Sequence, residues 1–150
     1  MITARDIMTT QIVTLSAGLE ISQAATRLLE KRINGAPVVD DAGHLIGILC
    51  QSDLIATQKK LSIPSLFTLL DGYFPLRSMK NMETELEKIA ALTVEQAMTR
   101  KPITISPNTP IEEIATLMVE KGFHTLPVLE NGRLVGVVGK EDVLRTLTSA

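Results

Sequence analysis

The feature that most constrains this sequence is a segment that occurs twice. Residues 35–55 read GAPVVDDAGHLIGILCQSDLI, and residues 125–144 read TLPVLENGRLVGVVGKEDVL, the same pattern with one residue fewer in the turn. Each copy runs from an apolar segment through an acidic, Gly-containing turn into a second apolar segment, which is typical of a β-hairpin. A helix is predicted to follow each hairpin, beginning near Asp53 in the first copy and near Asp142 in the second.

The likeness extends well beyond the hairpins. At an offset of about ninety residues, Met8-Thr9 matches Met98-Thr99, Thr14 matches Thr104, Ile21 matches Ile111, and Glu30-Lys31 matches Glu120-Lys121. The sequence therefore contains an internal duplication, and each copy predicts the order strand, helix, strand, strand, helix. Because a unit of about fifty to sixty residues is marginal on its own, we expect the two copies to share one core.

The duplication divides the chain into residues 1–59, 60–92 and 93–150. The middle segment, the linker, belongs to neither copy and carries Phe67, Tyr73 and Phe74. Its last eleven residues predict a helix with an apolar face. The aromatic side chains either pack on their own protein or form an exposed apolar patch for a partner or a second subunit.

Each copy also predicts an amphipathic helix that buries one apolar face. In the first copy this helix covers residues 19–31, and Leu29 is counted in the apolar face. In the second copy Thr109 is expected to cap the helix and Pro110 to occupy its first position. Val119 is expected to belong to the buried face of that second helix.

Composition excludes several classes of protein. The chain is 45% hydrophobic, yet it has no apolar run of about eighteen residues, so no membrane insertion is predicted. A net charge of -2, with only 3% aromatic residues and no Trp, argues against nucleic acid as the principal partner. The N-terminus shows no secretory signal, and the single cysteine suits a reducing compartment, so the predicted localisation is cytoplasmic.

The sequence offers little support for an enzyme. It contains no Gly-rich phosphate loop, no G-x-S-x-G turn and no H-E-x-x-H helix. Cys50 could in principle act as a nucleophile with His44 or His124, but it falls inside an apolar strand, which favours a buried structural cysteine. We therefore predict no catalytic residue and no metal ligand.

Taken in order, the repeated motifs resemble the paired cystathionine-β-synthase (CBS) domain, also called a Bateman module. The resemblance rests on Met8-Thr9 and Met98-Thr99, on PVVD at 37–40 and PVLE at 127–130, on GHLIGI at 43–48 and GRLVGV at 132–137, and on Asp53 and Asp142. It implies a mixed α/β (α+β) fold in which tandem βαββα repeats pack around a pseudo-two-fold axis, with the helical linker as an insert. It also implies clefts that bind adenosine compounds, and a homodimer.

In similar modules, the Asp that ends the strand-to-helix turn accepts hydrogen bonds from both ribose hydroxyls, and Asp53 and Asp142 match it. A carboxylate suits two adjacent O–H donors, but each Asp could equally act only as a helix cap. The Ser or Thr that usually contacts phosphate is replaced by Cys50 and Gly139. Phosphate could instead be held by N–H groups of the last helix, with help from Lys140.

The resemblance favours the second cleft, which contains Asp142. The cationic pair that some members carry before the hairpin is replaced by Asn34-Gly35 in the first copy, whereas the second copy keeps His124, either as a ligand contact or as an ordinary histidine. Arg100 and Lys101 are expected to border this cleft or to form a solvated turn. The remaining candidates are residues of the first strands and hairpins that would line an adenine slot or simply fill the core: Val13, Thr14, Ala36, Ile103, Thr104 and Leu126.

The resulting expectation is a regulatory module that binds an adenosine ligand such as AMP, ADP, ATP, S-adenosylmethionine or NAD. It requires no cofactor and signals through its own dimer or an effector protein in trans, because the repeats and linker use nearly all of the chain. The alternative is a ligand-free dimerisation or scaffold module, which the missing phosphate contacts would favour.

Overall fold

The computed structural model describes residues 1–58 and 92–148 of the chain. The helices are α1 (Ala4–Ile7), α2 (Ile21–Lys31), α3 (Gln51–Gln58), α4 (Val94–Ala97), α5 (Ile111–Lys121) and α6 (Lys140–Arg145). The strands are β1 (Leu15–Ser16), β2 (Gly35–Val39), β3 (Leu45–Cys50), β4 (Thr99–Arg100), β5 (Thr125–Glu130) and β6 (Arg133–Gly139). This mixed α+β architecture confirms the predicted fold class.

The strands of the two halves form the same pattern. In the first half the order is β1-β2-β3-β4, with β1 parallel to β2 and the other neighbours antiparallel. In the second half the β5–β6 hairpin is flanked by single bridges, a parallel one from Ile105 to Val128 and an antiparallel one from Thr9 to Val137. The predicted first strand at residues 103–105 therefore pairs at only one residue.

The outer partner of each hairpin comes from the opposite half of the chain. The segment 1–13, here called the leader, packs on the second half: Ala4 N–H donates to Thr109 O at 2.9 Å, and Ala4 is buried in the second core. The segment 92–100, here called the connector, packs on the first half, where Val94 N–H donates to Leu19 O at 2.7 Å. The leader and the connector therefore tie the halves together reciprocally.

Among the described residues the buried apolar side chains form two clusters, rather than the one shared core that was expected. One cluster contains Leu15, Leu28 and Leu49 of the first half together with Val94 of the connector. The other contains residues of the second half together with Ala4 of the leader. Each half therefore completes its own cluster with a segment borrowed from the other.

The second amphipathic helix begins one residue later than predicted. Pro110 has the extended conformation of the N-cap position (φ -72°, ψ 154°), and the helix starts at Ile111. The prediction that Thr109 caps this helix was wrong, because its hydroxyl instead accepts the Ser106 N–H at 2.9 Å within the preceding turn. At the other end, Gly122 adopts φ 72° and closes the helix as expected.

Two residues assigned to the buried helix faces are exposed. Leu29 of α2 is 72% exposed and Val119 of α5 is 82% exposed. The buried faces are centred on Leu28 and Ile114, and one helical position turns a side chain by about 100°. Leu29 and Val119 occupy matching positions of the two copies, so both halves present the same apolar side of the helix to solvent.

Most of the linker, with its aromatic residues and its predicted helix, lies outside the described residues. Leu92 is described, and its carbonyl accepts the Ile21 N–H at 2.8 Å. Within the two described ranges, no helix is long and apolar enough to cross a membrane. Nor do the same ranges bring together three His, Cys, Asp or Glu side chains that could hold a metal ion.

Candidate functional site: a cleft between the two halves

A cleft with a volume of about 120 Å³ is lined by both halves of the chain. The first half contributes Thr9 and residues 11–13 of the leader, and residues 32–35 between α2 and β2. The second half contributes residues 124–125 and the turn from β6 into α6, including Asp142. A molecule bound here would contact both copies of the repeat.

Asp142 is the buried acid of this cleft, with only 6% of the residue exposed. Its Oδ2 accepts the Gly139 N–H at 2.8 Å, which caps the start of α6. Its Oδ1 accepts a hydrogen bond from Arg145 Nη1 at 2.8 Å and a long one from Thr9 Oγ1 at 3.5 Å. The capping role is therefore present and uses Oδ2. The other oxygen, Oδ1, accepts hydrogen bonds only from side chains.

Asp53 occupies the matching place in the first half. Its Oδ2 accepts the Cys50 N–H at 2.7 Å, and its Oδ1 accepts the Thr99 hydroxyl at 3.2 Å. Thr99 belongs to the connector, as Thr9 belongs to the leader, so each carboxylate is reached by a Thr from the other half. Asp53 has no cationic partner among the described residues, and the residue that matches Arg145 is Ala56.

Of the other predicted residues, Val13 and His124 also line the Asp142 cleft, and His124 is exposed there. Lys140 is exposed and is not in the lining, although its N–H donates to the His124 carbonyl at 3.0 Å. Leu126 and Ala36 are fully buried and do not reach this cleft. Both therefore serve as core residues here.

The candidates from the first strand of each copy lie elsewhere. Thr14, Ile103 and Thr104 are absent from the lining, although residues 11–13 next to Thr14 belong to it. Of the two alternatives for Arg100 and Lys101, the solvated one agrees with the structure, because neither residue lines this cleft and both are exposed. Arg100 pairs with Gly47 of the first half and lies 3.7 Å from Glu95 in an ion pair, because the connector packs on the opposite hairpin.

The cleft also contains residues that the sequence did not single out, among them Thr125. In the β5–β6 register Thr125 faces Gly139, whereas in β2–β3 Gly35 faces Cys50. Each pair thus joins a glycine to a residue with a side chain. The side chain belongs to the second strand of the first hairpin, at Cys50, and to the first strand of the second hairpin, at Thr125. Thr125 is 4% exposed, and its hydroxyl makes no hydrogen bond among the described residues. A hydroxyl is therefore available beside Asp142 even though position 139 has lost its side chain.

Arg32 was also missed as a cleft residue. It follows α2 in the left-handed conformation, with φ 54°, a position that usually favours glycine or asparagine. Its exposed side chain makes no ion pair in the described part of the chain. The first half therefore supplies a cation to the cleft that contains Asp142, and the motif comparison overlooked it because the matching residue is Gly122.

Cys50 behaves as a structural thiol. Burial, and secondarily the nearby carboxylate of Asp53, raises the pKa of Cys50 to about 11. A thiol with a raised pKa stays protonated until the pH approaches that value, so little reactive thiolate exists near neutral pH.

We therefore expect iodoacetamide to alkylate folded Cys50 slowly at pH 7 and about tenfold faster per pH unit up to about pH 11. Mass spectrometry of quenched samples measures the rate. In urea the rate should instead level off near the ordinary thiol pKa of about 8.5. Rapid alkylation of the folded protein at pH 7 would contradict this description.

Comparison with known proteins decides the family. The CBS domain family matches residues 4–60 and 94–149, which include every element described above. The chain is a CBS-domain pair. CBS pairs in general act as regulatory modules rather than as catalysts.

Three relatives place this CBS pair among known proteins. Protein MJ1225 of Methanocaldococcus jannaschii is 30% identical over 145 residues, covering 97% of this chain and 42% of its own length. Protein MJ1426 of the same organism is 33% identical over 132 residues, covering 81% of this chain and 77% of its own. CBSX2 of Arabidopsis thaliana, a chloroplastic CBS domain-containing protein, is 28% identical over 130 residues. The chain spans 54% of CBSX2.

The structure of CBSX2 provides the most informative comparison. The crystal structure of CBSX2 in complex with AMP superimposes with a TM-score of 0.71 at 26% identity, covering 97% of this chain and 96% of the CBSX2 chain. The CBS-pair fold is thus shared over nearly the whole described structure.

Proposed function

We propose that this CBS pair is a non-catalytic regulatory module that binds an adenosine-containing ligand in the cleft between its halves. The observation that carries the proposal is the buried carboxylate of Asp142, which presents Oδ1 to a cleft lined by both repeats. Two adjacent ribose hydroxyls are suitable donors for such an oxygen. The AMP complex of CBSX2 supports an adenine nucleotide as the ligand.

The remaining lining fits the other parts of a nucleotide. Ile12, Val13, Ile33 and Val137 supply apolar surface for a base. Arg32, His124 and the Thr125 hydroxyl supply polar groups of the kind that contact phosphate. In this proposal Asp53 serves as a helix cap, through the hydrogen bond that it accepts from the Cys50 N–H.

Signalling would follow from the position of the cleft. Because residues 32–35 of the first half and residues of the second half both line it, a bound ligand stabilises one arrangement of the two halves over others. Such a population shift needs no bond making or breaking. The raised pKa of Cys50, the chain's one cysteine, further supports a module without a reactive nucleophile.

The proposal is tested by isothermal titration of the full chain with AMP, ADP, ATP, S-adenosylmethionine and NAD. We expect heat with at least one of them, together with a rise in thermal stability. A ligand at a hundred times its Kd adds about 2.7 kcal/mol to the free energy of unfolding. No heat and no thermal shift with any ligand would overturn the sensing function and favour a ligand-free scaffold.

The scaffold alternative is favoured by one specific observation, the repetition of exposed apolar residues. Leu29 and Val119 match in α2 and α5, and Ile55 and Leu144 match in α3 and α6; all four are more than half exposed. A second copy of the chain would cover such a surface, and the same surface would serve the homodimer of a sensor.

We expect Leu29→Ser with Val119→Ser to shift the molar mass from that of a dimer towards that of a monomer, because each change removes apolar area from the proposed interface. Light scattering after size-exclusion chromatography measures this mass. Glu30→Ser with Glu120→Ser, one position along the same helices, is the matched control and should leave the mass unchanged. Equal masses for the apolar variant and the wild type would exclude this interface.

A further inference from the structure

Arg145 is the cleft residue that most directly affects access to Asp142. Its guanidinium donates to Asp142 Oδ1 at 2.8 Å, and both residues line the cleft. The side chain of Arg145 is 67% exposed, whereas that of Asp142 is only 7% exposed. A mostly solvated cation therefore covers the oxygen of a mostly buried acid.

The first half shows that the fold does not require this ion pair. Asp53 makes the same cap hydrogen bond and the same contact with a Thr of the other half, yet its helix carries Ala56 where Arg145 stands. Arg145 is thus a feature of one cleft rather than of the repeat. Its contribution to folding is expected to be small, because ion pairs with an exposed partner contribute little.

The ion pair competes with any ligand that uses Asp142. Oδ2 accepts the Gly139 N–H of the helix cap, and a ribose hydroxyl that approaches Oδ1 competes there with Arg145. A ligand that displaces the guanidinium leaves it without an anion in the cleft, unless the ligand brings one. A phosphate is a strong partner for an arginine fork, whereas an uncharged nucleoside offers none.

We infer that Arg145 exchanges Asp142 for a ligand phosphate, so that the cleft selects phosphate-bearing nucleosides over neutral ones. This inference rests on the proposed function and adds to it the residue that sets ligand charge. In the absence of ligand, Arg145 neutralises the buried carboxylate. In its presence, the same guanidinium neutralises the phosphate.

The test compares AMP with adenosine by isothermal titration of the full-length wild type and of Arg145→Ala, the residue found at the matching position 56. We expect Arg145→Ala to lower the affinity for AMP about tenfold or more, the effect of losing a charge-assisted contact. The affinity for adenosine should stay the same or rise, because the competing ion pair is gone. The preference for AMP over adenosine should therefore fall by at least about tenfold.

Arg27→Ala, an exposed arginine of α2 outside the cleft, is the charge-matched control and should keep the wild-type preference. Arg145→Lys should retain part of the preference, since it keeps the charge and loses the fork. Equal losses for AMP and adenosine in Arg145→Ala, or no change in either, would overturn the inference while leaving the proposed function intact. Failure of the wild type and Arg145→Ala to bind either compound would overturn both.

Discussion

Asp142→Asn is expected to lower the affinity of the cleft for AMP by about ten- to a hundredfold, which corresponds to roughly 1.4–2.8 kcal/mol. The amide oxygen can still accept the Gly139 N–H, which leaves the NH₂ group at the place of Oδ1. That NH₂ is a donor facing the Arg145 guanidinium and the proposed ribose hydroxyls, which are donors as well. Isothermal titration, well below the melting temperature of the variant, measures the loss.

Asp53→Asn is the matched control, because Asp53 caps its helix in the same way but lies in the other half. We expect it to keep wild-type AMP affinity while losing a similar amount of thermal stability. Equal weakening by the two substitutions would show that the effect acts through folding rather than through the cleft. Unchanged affinity in Asp142→Asn would remove Asp142 from the binding site.

Gly47→Ala is expected to lower the free energy of unfolding by about 2–3 kcal/mol, at the upper end of overpacking effects. A Cβ at Gly47 would lie 2.5 Å from Met98 Sδ and 2.9 Å from the Thr99 carbonyl oxygen. The methionine can move, but the carbonyl belongs to β4, whose pairing with β3 holds the connector in place. Urea unfolding followed by circular dichroism measures the change.

The same packing occurs again at Gly136, where a Cβ would lie 2.6 Å from Met8 Sδ and 2.9 Å from its Cγ. Because these are side-chain atoms, Gly136→Ala is expected to cost less than Gly47→Ala, about 1–2 kcal/mol. Gly18→Ala, with no atom within 4 Å of the added Cβ, is the control and should be nearly neutral. If Gly47→Ala were as stable as Gly18→Ala, the connector would not pack on β3 as described.

The internal repeat was sufficient to predict the fold class and the two hairpins, because local patterns carry that information. Alternating apolar segments around a Gly-containing turn favour a hairpin wherever the segment lies in the chain. Helix ends were less predictable: Thr109 has the chemistry of a cap, but a neighbouring turn uses its hydroxyl. Leu29 and Val119 were misassigned because helical periodicity defines an apolar stripe without showing how much of it another element covers.

The candidate site could likewise be predicted only in part. The strand-to-helix position of Asp142, its capping chemistry and the loss of a side chain at Gly139 could all be predicted from the sequence. The presence of Thr9 and Arg32 in the same cleft could not, because both are more than a hundred residues away from Asp142 along the chain. They reach the cleft only because the leader packs on the second half and α2 ends there.

The sequence by itself determined two copies of one supersecondary unit, each with an acid at the start of its last helix. Tertiary structure alone decided on which hairpin Met8 and Met98 pack. The two residues are equivalent in the repeat, and either could have packed on the hairpin of its own copy. They pack on Gly136 and Gly47 of the opposite halves. This exchange brings both halves to one cleft, because the partners of a sheet edge are selected by packing between distant segments rather than by local sequence.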